Sequence, residues 1–452
     1  MSPTRRQFLA GSSAFMGAAA LGLNGQALAQ ALREQGHPPT LVTIYLRGGA
    51  DPLNAVVPAG DPDYYKVRPT IAIPAKSDNP DNPAVIPLTN IFGLHPSLEP
   101  LHKLYEDKRM AAIMCTGSTH PTRSHFDAQD FMERAAPGVK SVTEGWLNRY
   151  LEATKSNADR TLRAVSLQPT LPRSLRGQYP VLAVPTGGAD AAMNAFERMY
   201  SCDGDAEARR MNGQANADKK DNQQADPDVP RVSGGAAVAP VEKGEDTLNQ
   251  YIAEKGEESI EKLRHLKGIV RGRSGNYPNS RLSRQLADIA KVIKAGEGLE
   301  VAAIDYGGWD HHAYQGGNQG TMANMLGTLA KAIRAFHDDL GTHMDKTLVL
   351  VMSEFGRTVY ENGNNGTDHG RGGFMLAFGG MVKGGNLYGK YTGLNKKELI
   401  AGRDLPVHVD FRVVFAEALH SLFGFHADKT DFFPEYKAND KPVGFLTPIA
   451  NG

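Results

Sequence analysis

Short apolar runs alternate with longer amphipathic segments along most of the chain. Five runs rich in valine, isoleucine and leucine are candidate strands: TLVTIYL (40–46), RMAAIMC (109–115), LRAVSL (162–167), LEVAAIDY (299–306) and KTLVLVM (346–352). Runs of this kind, without polar alternation, are typical of strands buried on both faces of a parallel sheet. The pattern therefore predicts an α/β fold, with a mainly parallel sheet flanked by helices.

The clearest helix lies between the last two candidate strands. Its apolar side chains recur at helical spacing on one face: Met322, Met325, Leu326, Leu329, Ala332, Ile333 and Phe336. A stripe of this kind indicates packing against a core. We expect a helix that covers one face of the sheet.

The composition changes sharply in the middle of the chain. Residues 203–249 are polar, nearly free of aromatic side chains and too poor in apolar surface to fold alone. We expect a disordered loop there. The flanking segments 190–200 and 246–296 look helical, so residues 190–296 are predicted to form a helical insertion on the α/β domain.

The first 29 residues have the features of an export signal. TRRQFLAG places two arginines before the apolar stretch AFMGAAALGL, and ALA precedes Gln30 as a cleavage site. The apolar stretch is too short for a stable membrane span, although an uncleaved anchor is the alternative. The arginine pair resembles a twin-arginine signal, which predicts a periplasmic or secreted protein that is exported folded by the twin-arginine machinery.

Charge and cysteine content exclude two classes of protein. The 452 residues include 50 basic and 50 acidic side chains, so nothing drives binding to a nucleic acid backbone. Only Cys115 and Cys202 occur, so the fold cannot depend on a disulfide framework. One bridge between them is possible, but the apolar run that ends at Cys115 favours a buried thiol.

Chemically reactive side chains follow the candidate strands, where the loops of a parallel sheet bind ligands. RGGADPLN places Asp51 after the first strand, and its glycines permit a tight turn. TGSTHPTRSHFDAQ follows the second strand and brings Thr119, Arg123 and Ser124 to the start of a probable helix, where a nucleophile or anion gains from free N–H groups. The alternative for Ser124 is a plain N-cap, with Asp127 completing an imperfect capping box.

The loops after the last two strands carry metal-ligand chemistry. GGWDHHAYQGG offers Asp310 and His312, which two-residue spacing lets face the same way. MSEFGRTVYENGNNGTDHGRGG offers Glu354 and Arg357, followed by Asp368 and His369. Carboxylates and imidazoles suit zinc, manganese or calcium, and arginine suits a tetrahedral oxyanion. We therefore expect an anionic substrate held at one or two divalent ions.

The motifs TRRQFLAG, LRGGADPLN, PTRSHFDAQDFME, GGWDHH and MSEFGRT with TDHGRGG occur in an order that resembles the bacterial exported family known as domain of unknown function 1501. That family is grouped with the alkaline phosphatase and sulfatase superfamily. The resemblance implies an alkaline-phosphatase-like α/β sandwich that carries one or two metals and a hydroxyl or formylglycine nucleophile.

The resemblance also implies roles for individual residues. Asp51, Asp310, His312, Glu354 and His369 would be metal ligands, and Asp368 is a further candidate. Ser124 would be the nucleophile, with Thr119 as its rival because THPTR is similar to the nucleophile motif of sulfatases. The superfamily normally has an Asp-His pair at the strand end, whereas Phe355 follows Glu354 here, so the number of ions stays at one or two.

These observations lead to a hypothesis and one alternative. The hypothesis is an exported metal-dependent hydrolase of phosphate or sulfate esters, in which Arg123 or Arg357 holds the substrate oxygens. The alternative is a non-catalytic periplasmic binding or scaffold protein with a degenerate hydrolase site, suggested by the polar loop 203–249. An oxidoreductase is disfavoured because no G-x-G-x-x-G follows a strand.

Overall fold

The computed structural model of the protein describes residues 38–156, 162–184, 261–272, 275–427, 431–436 and 441–448. The expected signal (1–29), the helix expected at 190–200 and the loop expected at 203–249 lie outside the described residues. The chain divides into two compact units, residues 1–186 with 272–452, and residues 187–271. Within the described part of the second unit, residues 261–270 are helical.

The strands of the first unit form a large sheet and a small one. The strands are β1 (Thr40–Arg47), β2 (Val56–Val57), β3 (Ile86–Pro87), β4 (Gly93–Leu94), β5 (Met110–Gly117), β6 (Ala164–Ser166), β7 (Leu182–Ala183), β8 (Val301–Gly307), β9 (Thr347–Met352), β10 (Gly373–Phe378), β11 (Asn386–Tyr388) and β12 (Val409–Asp410). The five strands predicted from the apolar runs, β1, β5, β6, β8 and β9, are confirmed within a few residues at each end.

The helices of the first unit are α1 (Pro52–Ala55), α2 (Pro62–Val67), α3 (Glu99–Glu106), α4 (His125–Arg134), α5 (Trp146–Ala153), α6 (Arg281–Ala295), α7 (Thr321–Leu340) and α8 (Phe411–Phe423). Short 3-10 helices span Pro96–Leu98, Arg173–Leu175, Gly341–Lys346 and Lys396–Glu398. The helix predicted between the last two candidate strands is α7, and its apolar stripe is buried apart from the half-buried Met325. No helix among the described residues is long and apolar enough to cross a bilayer.

The large sheet is mostly parallel. Its strand order is β11-β5-β10-β9-β1-β8-β6-β7, with β12 also paired to β5. β1 runs parallel to both β8 and β9, whereas β10 is antiparallel to both β5 and β9. β5 and β9 therefore run in the same direction, and the carboxyl ends of β1, β5, β8 and β9 reach the same edge of the sheet.

The core lies between this sheet and its helices. β5, β9 and β10 are buried at every position, and β1 at every position before Arg47. On one face, Trp146 of α5 stacks on Phe415 of α8 with ring centroids 4.3 Å apart. Burying a large apolar side chain stabilises the fold by about 1.5–3 kcal/mol, so this double-sided burial holds the strand ends rigidly. Cys115, in β5, is a buried free thiol, as predicted.

Candidate metal centre

The loops after β1, β5, β8 and β9 meet at the carboxyl edge of the sheet. The Gly48 N–H, after β1, donates to Glu354 Oε1, after β9, at 2.9 Å. His125, in the first turn of α4 after β5, places Nδ1 2.8 Å from the same oxygen. Arg357 Nη2 lies 2.5 Å from Oδ1 of Asp310, in the loop after β8. The convergence predicted from the positions of these loops in the sequence is confirmed.

Gly48 permits a close approach of the loops after β1 and β8. Its φ is +124°, which side-chain-bearing residues rarely adopt, and a Cβ added there would lie 2.5 Å from the backbone nitrogen of Asp310. The loops after β1 and β8 can therefore touch only if this position has no side chain. The local sequence RGG sets the spacing of the site.

Three histidines at this edge are held by their Nδ1 atoms. Nδ1 of His125 lies on Glu354, Nδ1 of His312 lies 3.1 Å from Asp368 Oδ1, and Nδ1 of His369 lies 2.8 Å from the Arg123 carbonyl oxygen. Each of these partners is an acceptor, so the hydrogen-bond network assigns the proton of each neutral ring to Nδ1. The Nε2 lone pairs are then free to bind a cation, an arrangement common to metal-binding histidines.

The Nε2 atoms gather around the carboxylate of Asp310. Nε2 of His125 lies 3.3 Å from Asp310 Oδ2, and Nε2 of His369 lies 3.2 Å from Asp310 Oδ1. His312 Nε2 lies 2.9 Å from His369 Nε2 and 3.1 Å from Asp310 Oδ1. We call these four residues the histidine–aspartate cluster. Two Nε2 lone pairs at this separation repel each other, and a cation between them would remove the repulsion.

The donor set fits a divalent ion. One ligand atom each from His125, Asp310 and His369 lies within 4.8 Å of the others. The Nε2 of His125 is buried without a hydrogen-bond partner among the described residues, and its contact with Asp310 is an ion-pair distance only. Two or three imidazoles with one carboxylate match zinc or manganese better than calcium, which takes oxygen ligands.

The charges around the cluster favour a cation. Burial raises the pKa of Asp310, but the hydrogen bond and charge of Arg357 outweigh burial and bring the pKa to about 2. Burial likewise opposes ionisation of Glu354 and Asp368, yet the pKa of each carboxyl is lowered by its hydrogen bonds, chiefly from His125 to Glu354 and from Asn362 to Asp368. The lowered pKa values keep Asp310, Glu354 and Asp368 ionised at neutral pH, and a cation at the cluster would be attracted to them.

The pKa values of His125 and His369 shift in opposite directions. The hydrogen bond to Glu354 raises the pKa of His125, whereas burial lowers the pKa of His369. A proton on His125 Nε2 would compete with a metal, so the cation affinity of the cluster should fall in acid.

Arg357 joins the loops after β1, β8 and β9 through hydrogen bonds of its buried side chain. Its side chain is 1% exposed. The guanidinium donates to the carbonyl oxygens of Gly49, Trp309 and Thr367 at 2.6, 3.1 and 2.9 Å, in addition to Asp310. These contacts, with that to the Gly48 carbonyl oxygen, occupy all but one of its five N–H groups. Arg357 therefore fixes the loops that carry the ligands, and it has little capacity to hold a substrate oxygen.

Asp51 lies apart from the histidine–aspartate cluster. It is fully buried, caps α1 through the Leu53 N–H, and forms an ion pair with the fully buried Arg68. Gln315 Nε2 also donates to its Oδ2 at 2.7 Å. The structure therefore does not bring Asp51 to the other predicted ligands, and its carboxylate anchors the loop after β1.

The hydroxyl candidates occupy different positions in the loop after β5. Ser124 is the N-cap residue of α4 by position, but its side chain makes no capping hydrogen bond and is exposed. Both of its neighbours reach the cluster, Arg123 through its carbonyl oxygen and His125 through its ring. Thr119 Oγ1 instead lies 3.5 Å from Arg412 Nη2. The Arg123 guanidinium pairs with the buried Asp404.

Two residues of the site were not predicted from the sequence. His125 is a member of the cluster, and Gln129, one turn further along α4, donates to Glu354 Oε1 at 2.9 Å. The available signal was the histidine in RSHFDAQ, directly after the candidate nucleophile and at a strand end. The hydroxyl groups of that segment were predicted as nucleophiles, and His125 was not predicted as a ligand.

Together, the fold and the site define a mixed α/β protein whose mostly parallel sheet gathers a histidine–aspartate cluster at the carboxyl ends of its strands. Residues 39–431 match the family model described as protein of unknown function (DUF1501), and the chain belongs to this family. A comparison with curated proteins gave no significant match.

Proposed function

We propose that this protein is a metal-dependent hydrolase of phosphate or sulfate esters that uses a hydroxyl nucleophile. The observation that supports the proposal most strongly is the arrangement of His125, His312 and His369, whose Nδ1 atoms face acceptors and whose Nε2 atoms gather at Asp310. Imidazoles that are held by an acceptor at Nδ1 and present Nε2 to a carboxylate are typical of metal-binding sites.

His125, Asp310 and His369 would hold the ion, with His312 as a further ligand. A divalent ion there would supply Lewis-acid polarisation of the ester and lower the pKa of a nearby hydroxyl. Glu354 and Asp368, predicted as ligands, instead contact the Nδ1 atoms of His125 and His312. We assign to these carboxylates the orientation of the rings, which leaves room for a single ion.

Ser124 is the favoured nucleophile. Its hydroxyl is exposed and makes no capping hydrogen bond, and it lies between two residues that contact the cluster. Its position at the start of the ten-residue helix α4 places free backbone N–H groups near any oxyanion that Ser124 would generate. Arg123 is favoured over Arg357 for holding substrate oxygens, because its side chain is 35% exposed against 1%.

The experiment is a hydrolysis assay of the full chain loaded with zinc, manganese or calcium, with an aryl phosphate, an aryl phosphodiester and an aryl sulfate. We expect turnover of at least one ester, abolished in Asp310→Ala and in Ser124→Ala. Ser124→Ala should keep the metal, whereas Asp310→Ala should lose it; His102→Asn, on α3, serves as the control. Absence of turnover for every ester and metal would contradict the proposal, and unchanged turnover in Ser124→Ala would shift the nucleophile to Thr119.

Metal content also separates the hydrolase from the binding or scaffold protein. The segment that suggested the alternative, 203–249, lies outside the described residues. Folded protein that takes up no zinc, manganese or calcium would favour the alternative. Export by the twin-arginine route to the periplasm or beyond is part of the proposal, and cell fractionation tests it directly.

A further inference from the structure

Three arginines surround a single buried carboxylate beside the histidine–aspartate cluster. Asp404 is fully buried and forms ion pairs with Arg123 and, at 3.8 Å, with Nε of Arg403. Arg371 lies against the same chain segment, since the N–H of the next residue, Gly372, donates to the Leu405 carbonyl oxygen at 2.9 Å. We call Arg123, Arg371 and Arg403 the arginine group.

The arginine group adjoins the cluster through His369. Arg403 Nη2 donates to the His369 carbonyl oxygen at 3.0 Å. The Arg123 carbonyl oxygen lies within hydrogen-bond distance of His369 Nδ1, at 2.8 Å. Arg371 Nη2 reaches the Ser118 carbonyl oxygen at 3.3 Å, in the loop that carries Ser124. The loop with the proposed nucleophile and the segment with the proposed ligand therefore both contact the group.

Among the described residues, the guanidinium groups of the arginine group outnumber the carboxylates near them. Arg123 and Arg403 share Asp404, and Arg403 also interacts electrostatically with Asp368. With Arg371, three positive charges therefore face two negative ones. Like charges at short range in a partly buried site are destabilising unless an anion joins them.

The arginine group also has unused donors. A guanidinium carries five N–H donors in a fork that matches the oxygens of sulfate, phosphate or carboxylate. Among the described residues, Arg371 has one hydrogen-bond acceptor, the Ser118 carbonyl oxygen, and Arg403 has one, the His369 carbonyl oxygen. Both side chains are partly exposed, so an oxyanion from solvent can reach them.

We propose that Arg371 and Arg403 form a second anion-binding subsite, which accepts a further sulfate, phosphate or carboxylate group of the same substrate. This inference rests on the proposed function and deepens it. The substrate class is an ester with at least two anionic groups, one at the histidine–aspartate cluster and one at the arginine group. Arg123, between the two, would contact either group.

The test compares two ligands that cannot be hydrolysed. Calorimetry would measure binding of benzenesulfonate and benzene-1,3-disulfonate to the zinc-loaded full chain, at fixed ionic strength and a pH near 8. We expect the disulfonate to bind at least tenfold more tightly, and the double variant Arg371→Gln/Arg403→Gln to lose most of this preference. The control Arg284→Gln/Arg334→Gln removes the same charge from the exposed Arg284 on α6 and the half-buried Arg334 on α7, and it should retain the preference for the disulfonate.

Two further measurements keep the outcomes distinct. The metal-free protein is titrated with inorganic sulfate, and the arginine variant is expected to bind sulfate at least tenfold more weakly than the control variant. If zinc uptake fails while this difference persists, the proposed function falls and the subsite stands. If the two variants bind sulfate and disulfonate equally, the subsite is overturned. Should the glutamine variant not fold, Arg371→Lys/Arg403→Lys retains the charge but loses the guanidinium fork. Its affinity for the disulfonate should then lie between the affinities of the control variant for the disulfonate and for benzenesulfonate.

Discussion

The carboxylate of Glu354 is buried at the end of β9, and its Oε1 accepts hydrogen bonds from Gly48, His125 and Gln129. One oxygen atom thus connects the loops that follow β1, β5 and β9. Its contact with Nδ1 of His125 fixes the tautomer of the ring that has an unpartnered Nε2. A charged acceptor at this position both orients the imidazole and raises its basicity toward a metal.

Glu354→Gln should therefore weaken zinc binding by about 10–100-fold, the usual cost of losing a group that orients a metal-binding histidine. Glutamine retains the volume of the side chain but removes the charge that holds the proton on Nδ1. Competition with a chromophoric chelator measures the affinity, and Glu398→Gln, at an exposed position, is the matched control. Equal zinc affinities of the two variants would remove Glu354 from the site.

Sequence and structure differ most at single residues that depend on distant partners. Asp51 follows a strand and a pair of glycines, as a ligand would, but Arg68 and Gln315 hold it instead. Nothing in the sequence near Asp51 specifies a partner 264 positions away. Asp310, His312 and His369 do lie together, and glycine-flanked titratable residues at strand ends were the signal for this, because they rarely serve packing alone. Their role as metal ligands stays a prediction.

Strands were predictable where burial is complete, and so was their mainly parallel arrangement, but the antiparallel strand was not. β1, β5, β8 and β9 are continuous apolar runs, and their order along the sheet brings four loops to one edge. β10 also reads as an apolar run, GFMLAF, but it follows the long loop that carries His369 and was not predicted as a strand. Its antiparallel pairing with β5 and β9 depends on tertiary contacts that hydrophobic periodicity does not report.

At the level of the loop after β1, Gly48→Ala should disrupt the site. The added Cβ would meet the Asp310 backbone at 2.5 Å, and φ of +124° would strain any side chain. We expect a loss of about 1–3 kcal/mol in the free energy of unfolding, together with weaker zinc binding. Urea denaturation and zinc titration measure the two effects.

Gly307→Ala is the matched control for this prediction. Gly307 ends β8 on the neighbouring strand, and a Cβ built there would have no other heavy atom within 4 Å. Its substitution should leave both zinc affinity and stability within about 0.5 kcal/mol of the wild type, as is usual for uncrowded positions. If Gly48→Ala proved as harmless as Gly307→Ala, the close approach of the first and third loops would not control the site.

For the molecule as a whole, a metal at the cluster would link loops from several strands. The candidate ligands lie after β5, β8 and β9, and the loop after β1 contacts them through Gly48. An ion that binds only the folded chain stabilises it by about 2.7 kcal/mol at a concentration 100 times its dissociation constant. Metal content and stability should therefore vary together.

A buried histidine should make the fold sensitive to acid. Burial lowers the pKa of His95 from 6.5 to about 4, while its ring accepts from the Ser97 N–H and contacts the Gly317 carbonyl oxygen. Below pH 6.5 the unfolded chain takes up this proton and the folded chain does not, so stability falls from pH 6.5 down to about pH 4. The shift corresponds to about 3 kcal/mol.

Urea denaturation between pH 7 and pH 4 checks this contribution. His95→Asn should be less stable than the wild type at pH 7, because it loses the contact with Gly317, but its stability should fall less steeply as the pH decreases. The His102→Asn variant, on α3, controls for the loss of a histidine. Parallel pH profiles for the wild type and His95→Asn would contradict the assignment.

The most direct test of the central claim is the anomalous scattering of crystals of the full chain grown with zinc, measured on both sides of the zinc absorption edge. We predict one strong peak among Nε2 of His125, Nε2 of His369 and the carboxylate of Asp310. A zinc-saturated crystal with no peak at these atoms, or with peaks only elsewhere, would contradict the metal centre and the hydrolase proposal that depends on it.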